Sequence, residues 1–113
     1  RPDFLTDLGT HTVIIECDPN QHSGISCENK RAMMIFKDAG SRPIVFIRFN
    51  PDAYTKAGGV RVKGCFDKDN NIREEEWATR TTDLRSVVAK YLDLDTFPSK
   101  EVTIIQLFYS TVI

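Results

Sequence analysis

An α/β domain with a mixed central sheet flanked by helices is the fold class this sequence predicts, and three observations predict it. Two strand-like stretches, residues 2–7 and the β-branched 12–18, stand either side of a Gly-Thr pair, as the strands of a tight hairpin do. A nearly unbroken apolar run, Ile44-Val45-Phe46-Ile47, has the composition of a strand covered on both faces. Later in the chain, apolar residues at helical spacing lead into another β-branched run. At 113 residues the chain is long enough for one domain with a real core.

Each element has its own warrant. Gly9-Thr10 suits a two-residue type II′ loop, with Gly at the position that needs φ > 0. That loop sets Asp7 opposite Thr12, Leu5 opposite Ile14 and Asp3 opposite Glu16. The polar stretch 20–26 reads as a loop, and Ser26 is placed to cap a helix over residues 27–39 that Gly40 can terminate. Residues 43–49 form the buried strand. A strand–helix–strand order makes it parallel to the strand over 12–18 through a right-handed crossover. Asn50-Pro51-Asp52 ends it. Residues 58–72, with Gly58-Gly59, Gly64 and a polar run at 67–71, read as an exposed hairpin or long loop. A helix follows over 74–94, its buried stripe marked by Trp77, Leu84, Val88 and Tyr91. Residues 102–109 make the last strand. The sequence has no internal repeat and no low-complexity tract.

Composition excludes several classes. No apolar run reaches membrane-spanning length, and no secretory segment is recognisable. Cys17, Cys27 and Cys65 are odd in number and fit no zinc spacing, so free thiols in a reducing compartment, nuclear or cytoplasmic, are expected. The net charge of −1 gives no bulk attraction for nucleic acid, so any such contact has to come from local clusters. The chain opens on Arg1 at the edge of a motif, which predicts a single domain over 1–113 that is a fragment or a processed product of a longer protein, a larger multidomain protein being one alternative.

The hairpin register carries the chemistry. Side chains alternate along a strand, so Glu16 and Asp18 share a face, and opposed residues lie about 4.5–5.5 Å apart at Cβ. Asp3, Glu16 and Asp18 then gather at one end of the hairpin, with His22 just beyond. A one-residue slip would scatter them. Clustered carboxylates suit a hard divalent cation such as Mg²⁺ or Mn²⁺, which prefers oxygen ligands. Asp3, Glu16 and the Cys17 backbone carbonyl are the expected ligands. Asp18 would hold a second cation or orient a water, and His22 would act as general base or hold a phosphate. The competing reading of each residue alone is a solvated strand end or a surface histidine.

These residues carry a resemblance. Pro2-Asp3 and Glu16-Cys17-Asp18 are similar to the PD and (D/E)XK elements of the PD-(D/E)XK superfamily of restriction-endonuclease-like nucleases. Arg1-Pro2-Asp3-Phe4, Ile15-Glu16-Cys17-Asp18 and Gln21-His22 resemble most its very-short-patch-repair-like branch. The stretch 42–52 resembles endonuclease-like proteins of large DNA viruses. The likeness covers residues 1–54, about half the chain. It implies a restriction-endonuclease-like sheet and Mg²⁺-dependent hydrolysis of DNA phosphodiester bonds that leaves 5′-phosphate ends. The sequence departs from the pattern twice: Asp18 stands where the family's lysine does, and the family's first helix and strand would precede Arg1. The alternative is a catalytically inactive nuclease-fold module that binds nucleic acid or protein.

Weaker signals complete the list of expectations. Lys30, Arg31 and Lys37 on the helix over 27–39 are placed to approach phosphates, a solvated helix face being the rival reading. Arg48, at a strand end, is expected to contact phosphate or pair with a carboxylate. The run 67–71 resembles a calcium loop, but Ile72 and Ala78 occupy the positions of the required Gly and bidentate Glu, so it is rejected. Trp77 and Tyr91 are expected in the core rather than as base-stacking platforms.

Overall fold

Residues 12–15 are Thr-Val-Ile-Ile, and β-branching stiffens such a run into an extended strand. In the computed structural model, which describes residues 4–17, 34, 40, 42–93, 98 and 100–110, that run is β2, Thr12–Cys17. It pairs antiparallel with β1, Phe4–Asp7, with Asp7 opposite Thr12 and Leu5 opposite Ile14, the expected register. Gly9 has φ 86° while Thr10 is not left-handed, which selects a II′ rather than a I′ loop. Asp3 and Asp18, expected at the strand ends, lie outside the described residues, as do Lys30, Arg31 and most of the expected helix over 27–39. Within that stretch Met34 is helical, and Gly40 has the φ of 76° that a helix-ending glycine requires.

β3, Ile44–Phe49, is buried at all six positions and runs parallel to both β2 and the last strand, Val102–Leu107. Between β3 and that strand lie β4, Tyr54–Thr55, and β5, Arg61–Val62, so the last strand is β6. The main sheet has the order β1-β2-β3-β6, and with one antiparallel pair it is mixed, within an α/β fold. The strand expected over 43–49 starts one residue later. Pro43 has no N–H for the ladder, and Ile44 is the first to donate, to the Glu101 carbonyl. The strand expected to reach 109 ends at Leu107, because Phe108 turns left-handed with φ 65°.

Alternation divides the apolar residues between two faces. Ile14, Ile44 and Phe46 pack together with Val102 on one. On the other, Val13, Val45 and Ile47 pack against Leu84, Val87, Val88 and Tyr91 of α1, Glu74–Leu92. Trp77 departs from the expected stripe. It is 39% exposed and meets Phe66, ring centroids 6.1 Å apart. The sheet face is met only from Leu84 onward, so the first turns of α1 lie against the 50–73 excursion instead. No side chain caps α1, but Glu74, Glu75 and Glu76 oppose the positive end of its dipole. At its far end the buried His11 ties the hairpin loop to the helix. Nε2 donates to the Tyr91 carbonyl at 2.6 Å, and Thr10 Oγ1 lies 2.8 Å from Nδ1. No described helix is long and apolar enough to cross a membrane.

Candidate functional site

Parallel strands point their C-terminal ends to one edge, where open α/β sheets place their ligand sites. Here that edge ends β2, β3 and β6. The register lines up Glu16, Arg48 and Gln106 across it, side by side on the face opposite α1. Glu16 and Arg48 are 5% and 4% exposed, whereas Gln106 is exposed. A buried carboxylate and a buried guanidinium are costly apart and are mutually stabilising as neighbours. Sequence reasoning singled out Glu16 and Arg48 separately. It did not align them, because a parallel register depends on a crossover whose length leaves it open. Gln106 was missed for the same reason.

The chain beyond β3 builds a rigid platform at this edge. Asn50 is fully buried; its Nδ2 donates to the Phe108 carbonyl at 2.9 Å, and its Oδ1 accepts from the Asp52 amide at 3.0 Å. Arg80, on α1 and also fully buried, donates to the Asn50, Asp52 and Lys63 carbonyls at 2.7–2.8 Å. Its Nε meets Glu76 at 2.6 Å, and its guanidinium stacks 5.0 Å from the Tyr54 ring centroid and 5.3 Å from that of Phe108. All of this is architecture, and it positions the edge without offering reactive groups.

The cysteines divide by burial. Cys17 is exposed at the edge beside Glu16. Cys65 is fully buried, and desolvation pushes its thiol above the ordinary range, which suits a packing residue rather than a nucleophile. The rejected calcium loop is satisfied internally. Asp67 Oδ1 accepts from the amides of Asp69 and Asn71, both at 2.9 Å, and those bonds hold its carboxyl below the usual range.

Of the expected site, Glu16, the Cys17 carbonyl and Arg48 are described, and they stand together at the C-terminal edge; Asp3, Asp18 and His22 lie outside the described residues. Among the described residues no three His, Cys, Asp or Glu side chains gather as a metal cage. No protein-family model matches the chain, nor does any curated protein or any solved structure.

Proposed function

We propose that this chain is a divalent-metal-dependent endonuclease of restriction-endonuclease-like fold that hydrolyses DNA phosphodiester bonds and leaves 5′-phosphate ends. The observation that carries the reading is the position of Glu16. It is a carboxylate at the C-terminal end of a strand, in the hairpin register that the acidic motif needs. The oxygen atoms described there, the Glu16 carboxylate and the Cys17 carbonyl, are of the kind that Mg²⁺ or Mn²⁺ prefers. Asp3 is proposed as the further ligand from the motif. Such a cation, when bound, acidifies water and offsets charge on the phosphate. Asp18 and His22 are proposed to orient the water and take its proton, in place of the family's lysine. Arg48 is proposed to orient Glu16, its neighbour in register, since its burial leaves little surface to offer a phosphate.

The test is nicking of plasmid DNA in Mg²⁺ or Mn²⁺. Glu16→Gln abolishes it, since shape is kept and the charged ligand lost. His22→Ala slows it roughly 10²–10⁴-fold if His22 is the general base. Activity retained in Glu16→Gln refutes the mechanism. One observation favours the non-catalytic binding module: the register sets the buried Arg48 beside the buried Glu16, so a cationic neighbour other than a metal ion is already at hand. DNA binding without cleavage by the unaltered protein would establish that reading.

A further inference from the structure

The segment between β3 and α1 leaves the sheet at the edge where Glu16 lies. Its first part, residues 53–66, contains Lys56, Arg61 and Lys63 and no acidic residue. All three cations are exposed. The acids begin again at Asp67 and at the start of α1. In a chain of net charge −1 this is a local positive field, and on an exposed hairpin such charges act only within a Debye length, about 8 Å.

The β4–β5 hairpin turns Arg61 and Lys63 to one side, with Lys56 exposed at the start of its loop. Tyr54 pairs with Val62 and Thr55 with Arg61. Tyr54 is buried beneath Arg80 and Phe108, so that pair faces the body of the protein, while Thr55 and Arg61 face away. Arg61 Nη1 donates to Thr55 Oγ1 at 3.1 Å, which fixes the guanidinium outward with its other donors uncommitted to that bond. Lys63 follows at the same-face spacing, about 6.6 Å along the strand. The loop is closed by Lys56 N donating to the Val60 carbonyl at 2.8 Å and Gly59 N to the Lys56 carbonyl at 3.1 Å. At the tip Gly58 and Gly59 have φ near 87° and 81°, and a Cβ on either would meet nothing within 4 Å, so the tip is narrow and open to solvent.

The hairpin is also held rigidly. Arg80 grips the Asp52 and Lys63 carbonyls at its two roots, and the Thr55 amide donates to Ser110 Oγ at 3.0 Å. A hairpin whose backbone is ordered before contact loses less entropy on binding than a free loop.

We propose that the β4–β5 hairpin is a phosphate-backbone clamp for DNA, with Lys56, Arg61 and Lys63 as its contacts. This rests on the nuclease reading for its choice of partner and extends that site by a surface the acidic motif does not include. The clamp reads backbone charge rather than base sequence.

The experiment is fluorescence anisotropy with a labelled DNA duplex in EDTA, across a salt series, so that binding is read without cleavage. The triple variant Lys56→Ala, Arg61→Ala, Lys63→Ala is expected to bind roughly 10–100-fold more weakly, with a salt slope shallower by about 2 to 3. Lys90→Ala, at the far end of α1, is expected to bind as the unaltered protein does. Thr55→Asp places an opposing charge beside Arg61 and is expected to weaken binding with all three cations retained, which covers a triple variant that folds poorly. Equal binding by the triple variant or by Thr55→Asp, an equal loss in Lys90→Ala, or no binding by the unaltered protein overturns the proposal. Tighter binding to an RNA duplex overturns the choice of DNA. Loss of binding in the triple variant, with no cleavage by the unaltered protein in Mg²⁺, upholds the clamp and sinks the nuclease. Cleavage with unchanged KM in the triple variant does the reverse.

Discussion

Arg80 shows how one residue can organise a loop. Its guanidinium has five donors in a flat fork, and three backbone carbonyls from the excursion after β3 converge on it together with the Glu76 carboxylate. Arg80→Leu would leave those carbonyls without their donor in a buried setting. A loss of at least about 3 kcal/mol is expected in urea denaturation, and Arg80→Lys is expected to recover little, because an ammonium has no fork. A loss below about 1 kcal/mol in Arg80→Leu would remove Arg80 from this role. The residue was legible in principle. It sits three residues after Trp77 and four before Leu84, inside the apolar row of α1, with Glu76 one turn earlier. A cation in an apolar row announces buried partners, but nothing local says that they are backbone carbonyls from residues 50–63.

At the scale of elements, the excursion depends on close backbone approach. A Cβ at Gly64 would stand 2.9 Å from the Ala53 amide nitrogen and 3.0–3.1 Å from Asp52 backbone atoms. None of these can swing away as a side chain tip does. Gly64→Ala is therefore expected to cost about 1–3 kcal/mol in stability and to loosen the hairpin, read as faster amide exchange at Cys65, whose N–H bonds to the Pro51 carbonyl at 2.8 Å. Unchanged stability would mean the strand backbones separate freely there. The same excursion shows the limit of local reading. The run 58–72 reads as a hairpin or loop, yet the hairpin's first strand starts at Tyr54. Two-residue strands have too little pattern to be read from alternation, and they persist because Arg80 and Asn50 fasten their roots. The β1–β2 hairpin is the opposite case, since its glycine turn and β-branched flanks specify the register without help.

For the whole molecule, the central position of β3 decides the order of opening. Both its edges are hydrogen-bonded to parallel neighbours, and both its faces are buried. Hydrogen exchange should be slowest in β3 and fastest, within the sheet, in β1, whose Phe4 and Leu5 are about half exposed. Faster exchange in β3 than in β1 would contradict the strand order. The C-terminal edge beside β3 is thus rigid on the sheet side, and the basic hairpin rises from the same stable framework.

The sequence by itself determined the α/β class, the β1–β2 register and the buried parallel strand, because these follow from turn chemistry, side-chain alternation and continuous apolarity over short distances. It also set Glu16 and Arg48 apart as charges at strand ends. Only the tertiary structure decided that Glu16, Arg48 and Gln106 form one row, that Trp77 leaves the core for Phe66, and that Arg80 enters it. Each of these depends on where a long crossover returns the chain. Many crossovers of similar local propensity compete, and the choice among them rests on the packing and hydrogen bonding of residues far apart in sequence.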